Sequence, residues 1–531
     1  MHLMTIFTVF ACLVTPYTRK TDITVQSEEP SYEDTTNEPS NTQDSSDSTD
    51  TEDIIDTEDT VEPEDTADTN NTTPIDTGSS YPNAETCFDS NPVNDDLLPS
   101  MGTMQTETTN VDGFTDDYLY DSNGYLKVGV RRDWGGTIIF YGLTNNSGPG
   151  VNNSNTIDAN DTGREVQVAF YDPDRVMQGC AHNASCASTP TTCPNSISYL
   201  GWNPVQGGNR CNNGSPVSNY SFQLDRMVHA IMPLHWNPNW DFPNCTNDGC
   251  NDPALANRSA DIVITQSLRF VRQHVLELRY TLTETAGINH GVTLQELPTV
   301  YAANGINGPD LWKLLDANGT QIDINQPAND GFFVRSFTST EPWVTLQNDN
   351  LNYGVGLLHE NSLLDFQGWQ NRGLPFNNFR SSFYFGIPAY GNVNARAYLL
   401  IGGYSTIQAD ATWLQNNLPP FGALDSPLDA SIHQGDSLTL RGWGLDNRGI
   451  TSIYALIDDT LHVPLSLGSS RADVNAAWPG YANGGNSGFD TTIDVSTLHH
   501  DPTCGHRIEI VSEDTDGNSR VIARNHFFLT P

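Results

Sequence analysis

Short runs of alternating apolar and polar residues dominate this chain, and helical periodicity is nearly absent. Tyr125–Val130, Gly136–Tyr141, Glu165–Tyr171, Tyr220–Leu224, Asp261–Phe270, His274–Leu282, Phe332–Phe337 and Ala395–Ile401 show alternation or β-branched content, the pattern of half-buried strands. Asn-, Gly- and Pro-rich segments separate them. In the run Glu165–Tyr171 the inward positions are Val166, Val168 and Phe170. Only Pro309–Asp316 and Asp410–Asn417 predict helix, one short element each. Many strands without βα alternation predict an all-β fold, with a large antiparallel β-sandwich over residues 86–420.

Residues 421–531 read as a separate unit. Pro419-Pro420 marks the junction, and strands at Ser437–Arg441, Ser452–Ile457 and Arg507–Val511 recur with turns between them. That rhythm fits an immunoglobulin-like β-sandwich of about seven strands. Residues 19–85 are rich in Thr, Asp, Glu and Ser, and hold 20 acids but no Lys or Arg between Thr21 and Glu85. Such a segment buries too little apolar surface to offset its ordering entropy, so a disordered acidic linker is expected. Residues 1–18 read as an export segment: the apolar run Leu3–Val14 is too short to span a bilayer but suits a signal-peptide core. Val9-Phe10-Ala11-Cys12 resembles a bacterial lipobox, with Cys12 the lipidated residue. It departs from that pattern in the bulk of Phe10 and in having no Lys or Arg ahead of it. The expected location is therefore the cell surface, the outer membrane or the extracellular space, with membrane contact only through an N-terminal lipid anchor.

Composition narrows the partners. Asp and Glu number 65 against 24 Lys and Arg, a net charge of −41, and lysine occurs only at Lys20, Lys127 and Lys313. A surface so acidic repels phosphate backbones, which excludes nucleic acid as a partner. Besides Cys12 there are eight cysteines: Cys87, Cys180, Cys186, Cys193, Cys211, Cys245, Cys250 and Cys504. Their even number and loop setting predict disulfides in an oxidising compartment, with pairing unreadable from sequence. Zinc is the alternative, but paired CxxC knuckles are lacking.

Two resemblances add to this. Gly442-Trp443-Gly444-Leu445-Asp446, Arg471-Ala472-Asp473-Val474, Trp478-Pro479-Gly480-Tyr481 and Ser487-Gly488-Phe489 together resemble a bacterial Ig-like domain often appended to secreted proteins, which implies an accessory module. The larger unit resembles secreted bacterial domains of the galactose-mutarotase-like β-supersandwich type. The residues that carry this are Trp134-Gly135-Gly136, Asp161-Thr162-Gly163-Arg164 with Gln167 and Tyr171, Trp202-Asn203-Pro204-Val205-Gln206-Gly207-Gly208-Asn209, His290, Gln295-Glu296-Leu297-Pro298 with Tyr301, and Glu341-Pro342-Trp343. The resemblance implies a sugar-handling theme more than a defined reaction. An Asp is expected after Gly207-Gly208; Asn209 stands there, which puts an acid or metal role at that position in doubt.

The candidate chemistry follows. His290 and Glu296 are the expected acid/base pair, since a His and a Glu can move protons to and from a sugar oxygen, and mutarotase-like enzymes use such a pair. A plainer account makes His290 a surface histidine in an Asn-His-Gly turn. Asp161 with Glu296 would form the two carboxylates of a glycosidase, their spacing setting retention or inversion. Arg164 either forms an ion pair with Asp161 that shapes the loop or offers its fork to hydroxyls or carboxylates. Gln167, Gln206, Asn209, Gln295 and Tyr301 supply further donors and acceptors. Trp202, Trp236 (with Trp240) and Trp343 supply aromatic faces, although most tryptophans are core. No metal site and no cofactor are expected. Asn247-Asp248-Gly249 and Asp514-Thr515-Asp516-Gly517-Asn518 have calcium-like chemistry but lack the other EF-hand ligands, so a structural calcium is the most they offer. His499, His500, Cys504 and His506 look metal-like but fall in a strand connection. The function that emerges is an exported surface protein that acts on a glycan or polysaccharide, as hydrolase, lyase or epimerase. The alternative is a surface protein that binds glycan without turning it over.

Overall fold

A computed structural model describes residues 96–530 except 112, 145–153, 159–162, 176–200, 242–248, 306–307, 325–334, 361–363, 372–375, 479, 482 and 500–504. The export segment with Cys12, the acidic linker, Asp161, Asn247 and Asp248 lie outside the described residues.

The alternating pattern becomes two large sheets, one of 12 strands and one of 9. The strand Ile262–Arg272 shows the cause: alternate side chains Ile262, Ile264, Gln266 and Leu268 are buried, while Val263, Thr265 and Ser267 between them are half-exposed. Val128, Ile138, Val166, Val300 and Phe379 from the larger sheet meet Ile264, Leu268, Leu278, Leu357 and Leu399 from the smaller in one continuous core. Pairings within both sheets are antiparallel, as in Ile264↔Leu282 and Leu282↔Val393 across neighbouring strands. The smaller sheet is covered on its other face too. Along the helix Tyr404–Asn417, Ile407, Ala411 and Leu414 form a buried stripe against Val275, Trp343 and Tyr398.

That helix contains the expected Asp410–Asn417 segment. The expected helix at Pro309–Asp316 does not form: Lys313–Leu315 is a strand, with Leu314 opposite Leu346. Leu314 points into the sandwich core, and tertiary burial overrides the local pattern.

Residues from Phe421 to Thr530 build two more sheets, of three and five strands, around a core of their own that includes Leu440, Ile457, Phe489, Ile510 and Phe527. Among the described residues eight strands stand where about seven are expected. One pair, Ser431–Gln434 with Phe527–Thr530, is parallel. Trp443 and Trp478 lie 4.7 Å apart, and Phe421 meets Trp443, Trp478 and Tyr481 within 5.8 Å. The tryptophan motifs of this segment are thus packing residues.

A row of alternating charges crosses the outer face of the nine-stranded sheet. Asp96 bonds Arg226 and Arg279, and lies 3.2 Å from Arg269. Arg269 pairs with Glu277 at 2.7 Å, and Glu277 lies 3.5 Å from Arg396. Arg396 pairs with Glu360 at 3.0 Å, and Glu360 with Arg520 at 2.6 Å. Arg279 and Arg396 face each other directly across two strands, a repulsive placement that these acids offset.

Candidate functional site

The site lies where the two large sheets end beside each other. Antiparallel register places Ile262 opposite Glu284, so Asp261 stands just before one strand and Glu284 closes the next. Five residues, 285–289, then carry the chain across to the other sheet, where His290 opens the strand His290–Tyr301. The Thr285 amide donates to the Asp261 carbonyl at 2.9 Å. The Glu284 carboxylate accepts from the amides of Ala286, Gly287 and Tyr390 at 2.7–2.8 Å and so fixes the crossing. Burial alone would raise its pKa; these amides outweigh burial and hold the carboxyl below its usual range.

His290 is buried, 2% exposed, and is not in a surface turn. Trp202 stacks on its ring with centroids 3.8 Å apart and planes 22° apart. Its Nδ1 lies 2.8 Å from Asp172 Oδ2, so the carboxylate holds the proton on Nδ1. The Asp172 carboxylate also accepts from the Asp174 amide at 2.9 Å, which shapes the short turn Pro173–Arg175. His290 Nε2 points towards Asp261 Oδ2 at 3.7 Å. Asp261 Oδ1 accepts from Trp202 Nε1 at 3.0 Å, and Arg175 lies 3.8 Å from Asp261 and 3.6 Å from Asp172.

Above this cluster opens a cleft of about 190 Å³, lined by Arg175, Trp202, His235, Trp240, Arg258, Ser259, Asp261 and Ile288. Arg258 is held by a two-pronged contact to Asp241 at 2.7 and 2.8 Å, and its guanidinium lies 5.5 Å from the Trp240 ring. His235 and Trp240 meet at 5.3 Å. Burial, reinforced by the Arg258 charge, pushes His235 down to about 3, so its ring is neutral. His235 Nδ1, Trp240 Nε1 and His290 Nε2 are buried polar atoms without a hydrogen-bond partner.

Of the residues expected at a site, Trp202 lines this cleft and His290 lies against it. Glu296 sits elsewhere on the same strand. Its carboxylate takes Tyr171 Oη at 2.7 Å, Thr299 Oγ1 at 2.5 Å and Arg380 Nη1 at 2.5 Å. Among the described residues Glu296 and His290 share no side-chain partner. Gln295 is a clamp: its amide exchanges hydrogen bonds with the Tyr171 backbone at 2.7 and 3.0 Å and donates to the Phe385 carbonyl at 3.1 Å. Tyr301 is half-buried opposite Asn378. Trp343 is fully buried beneath the helix Tyr404–Asn417, its Nε1 bonded to Glu341.

The other expected residues form an internal knot. Arg164 Nη1 donates to the Asn209 carbonyl at 3.0 Å, and its guanidinium lies 5.1 Å from Trp134 and 5.6 Å from Trp236. Gln167 accepts from the Gly207 amide at 3.2 Å. Gln206, fully buried, donates to the Gly135 carbonyl at 2.9 Å and pairs with Gln266. Gly135 adopts φ 62°, and a Cβ there would lie 1.8 Å from the Gln206 carbonyl, so only glycine fits. Asn209 donates to the Ala256 carbonyl at 2.6 Å while accepting from the Cys211 and Asn213 amides at 3.1 and 3.3 Å. A carboxylate accepts only, which is why asparagine rather than aspartate stands there. Cys211 is joined to Cys250 and pins the knot.

Near the C-terminus, Asp514 accepts from the amides of Asp516 and Asn518 at 2.8 Å, an Asp-Gly turn. His506 uses both ring nitrogens, on Asp458 at 2.6 Å and on the His499 carbonyl at 2.7 Å. Asp172, Arg175, His235, Arg258, Asp261 and Glu284 were not singled out by sequence reasoning. The readable signal was an acid at the mouth of each strand of one hairpin, Asp261 and Glu284.

Fold and site together define an all-β protein whose two large sheets meet at an aromatic cleft carrying both signs of charge. No protein-family model and no curated protein sequence matches the chain. Among solved structures it is similar to a polysaccharide lyase, at 9% identity over 81% of this chain and 47% of that one, with a TM-score of 0.29. The chain thus spans just under half of the lyase's length. It is also similar to a galactose mutarotase-like protein from Clostridium acetobutylicum, at 9% identity over 57% of this chain and 99% of that one, with a TM-score of 0.35. A 4-alpha-glucanotransferase from Thermococcus litoralis matches at 6% identity over 56% and 39% of the two chains, with a TM-score of 0.31.

Proposed function

We propose that this protein binds carbohydrate in the cleft between Trp202 and Trp240, as an exported protein displayed at the cell surface. The observation that carries this reading is the cleft's lining: two tryptophans, two guanidiniums, one carboxylate, and unpartnered donors or acceptors on His235 and Trp240. A sugar ring offers an apolar C–H face and a rim of hydroxyls. The half-buried Trp240 indole suits the face, and Asp261, Arg175 and Arg258 suit the rim. At about 190 Å³ the cleft is smaller than the ~300–1,000 Å³ of drug-sized sites, so it takes a single ring rather than a length of polymer. The Leu3–Val14 run and the Cys211–Cys250 disulfide support export into an oxidising compartment.

Turnover is the second reading. The Asp172–His290 pair aimed at Asp261 favours it, because a carboxylate that fixes an imidazole tautomer is how proton transfer is commonly prepared. A glycan array followed by calorimetry on the hits tests the binding reading. Trp240→Ala should weaken binding at least tenfold, and an array without hits, or unchanged affinity in that variant, overturns it. Product released from a bound glycan, and lost in Asp261→Asn, would favour turnover.

A further inference from the structure

We propose that Asp261, Glu284 and His290 hold a divalent transition-metal ion of the zinc class at the floor of the cleft. The inference stands independently of what the cleft binds. One ligand atom from each residue lies within 4.8 Å of the others. An imidazole with two carboxylates is a donor set that zinc accepts, at about 2.0–2.2 Å per ligand, so a modest inward movement closes the shell.

The strongest observation is the tautomer. With its proton held on Nδ1 by Asp172, His290 turns a lone pair at Nε2 towards a carboxylate oxygen 3.7 Å away. Nε2 is buried and has no hydrogen-bond partner. Two acceptors facing each other in a buried place repel unless a cation or a proton lies between them. A carboxylate behind a metal-binding histidine is also the usual outer support of such sites, since it orients the ring and raises its basicity. Charge agrees. Asp172, Asp261 and Glu284 bring three negative charges, and Arg175, 3.8 Å from Asp261, returns one positive charge. Carboxylates thus outnumber guanidiniums around the imidazole, a balance that suits a divalent cation. Glu284 is ready for the task, because backbone amides, those of Ala286, Gly287 and Tyr390 among them, hold its carboxylate in place. Three protein ligands leave one position open, the pattern of a reactive rather than a closed structural site. Asp261 lines the cleft, so a sugar hydroxyl or water would take that position.

The test is a zinc chloride titration of the whole chain after EDTA treatment, followed by calorimetry and by thermal unfolding. One ion per chain should bind and raise the unfolding temperature. Asp261→Asn and Glu284→Gln should each remove that site. Asp172→Asn, which deletes no ligand, should weaken affinity about 10–100-fold. Unfolding in EDTA checks that each variant folds; Asp261, the most exposed of the three, decides if the others do not. Absence of saturable one-to-one uptake overturns the proposal. Uptake unchanged in Asp261→Asn overturns it too, since zinc on the cysteines would behave that way. Glycan binding measured with and without EDTA keeps the two readings separable: either can fail while the other holds.

Discussion

His235, in the wall of the cleft, makes the fold sensitive to mild acid. Its pKa is pushed from 6.5 to about 3, first by burial and then by Arg258. Between those values the unfolded chain takes up a proton that the folded chain refuses, so stability falls as pH falls through that window. Above pH 6.5 both states hold a neutral ring and the effect vanishes. At pH 5 the unfolded state is favoured by about 1.5 pKa units, or ~2 kcal/mol. His359 behaves alike: burial pushes it down to about 4, and it adds ~2 kcal/mol over the same interval. Replacing His235 with Phe keeps an aromatic ring against Trp240 and removes the titration. Urea unfolding at pH 7.5 and pH 5.0 measures the difference. The variant should lose ~2 kcal/mol less than the natural chain between the two pH values. An identical drop in both proteins would refute the argument that burial keeps this ring neutral.

Glu296→Ala strips the buried Arg380 of its carboxylate partner and should cost ~3–5 kcal/mol in chemical unfolding, with the cleft's affinity for ligand little changed. Burial raises Asp446 to about 6, so stability is fully present below pH 3.8 and is lost as pH rises through 6. Asp446→Asn, whose Oδ1 can still accept from the Arg448 amide, should therefore gain up to about 3 kcal/mol at pH 8 and nothing at pH 3.5. Replacing Cys211 and Cys250 together by Ser opens a loop with a sequence separation of 39 and should cost roughly 4 kcal/mol, read as a lower thermal midpoint.

The strands were legible because period-two burial is written locally. Asp261–Phe270 was expected where Ile262–Arg272 forms, and His274–Leu282 where Val275–Glu284 forms. Pro309–Asp316 misled because Leu314 answers to a neighbouring strand rather than to its own sequence neighbours. The polar motifs were conspicuous for a different reason from the one supposed. Gln206, Asn209 and Gln295 satisfy buried backbone groups, a need as demanding of residue type as ligand binding. His290 was singled out, but its partner was not. Asp172 lies 118 positions away in the chain, and the pairing of strand Val166–Ala169 with strand His290–Tyr301 in the larger sheet brings them together.

The row of charges that ends on Arg520 bears on how this protein can be dissected. Glu360 lies between Arg396 of the nine-stranded sheet and Arg520 of the strand Ser519–Thr530. A truncation ending at Pro420 takes away one of its two cations and leaves the last acid of the row at a fresh edge. Fragments cut there would differ from the whole chain in the electrostatics of that sheet as well as in what they lack.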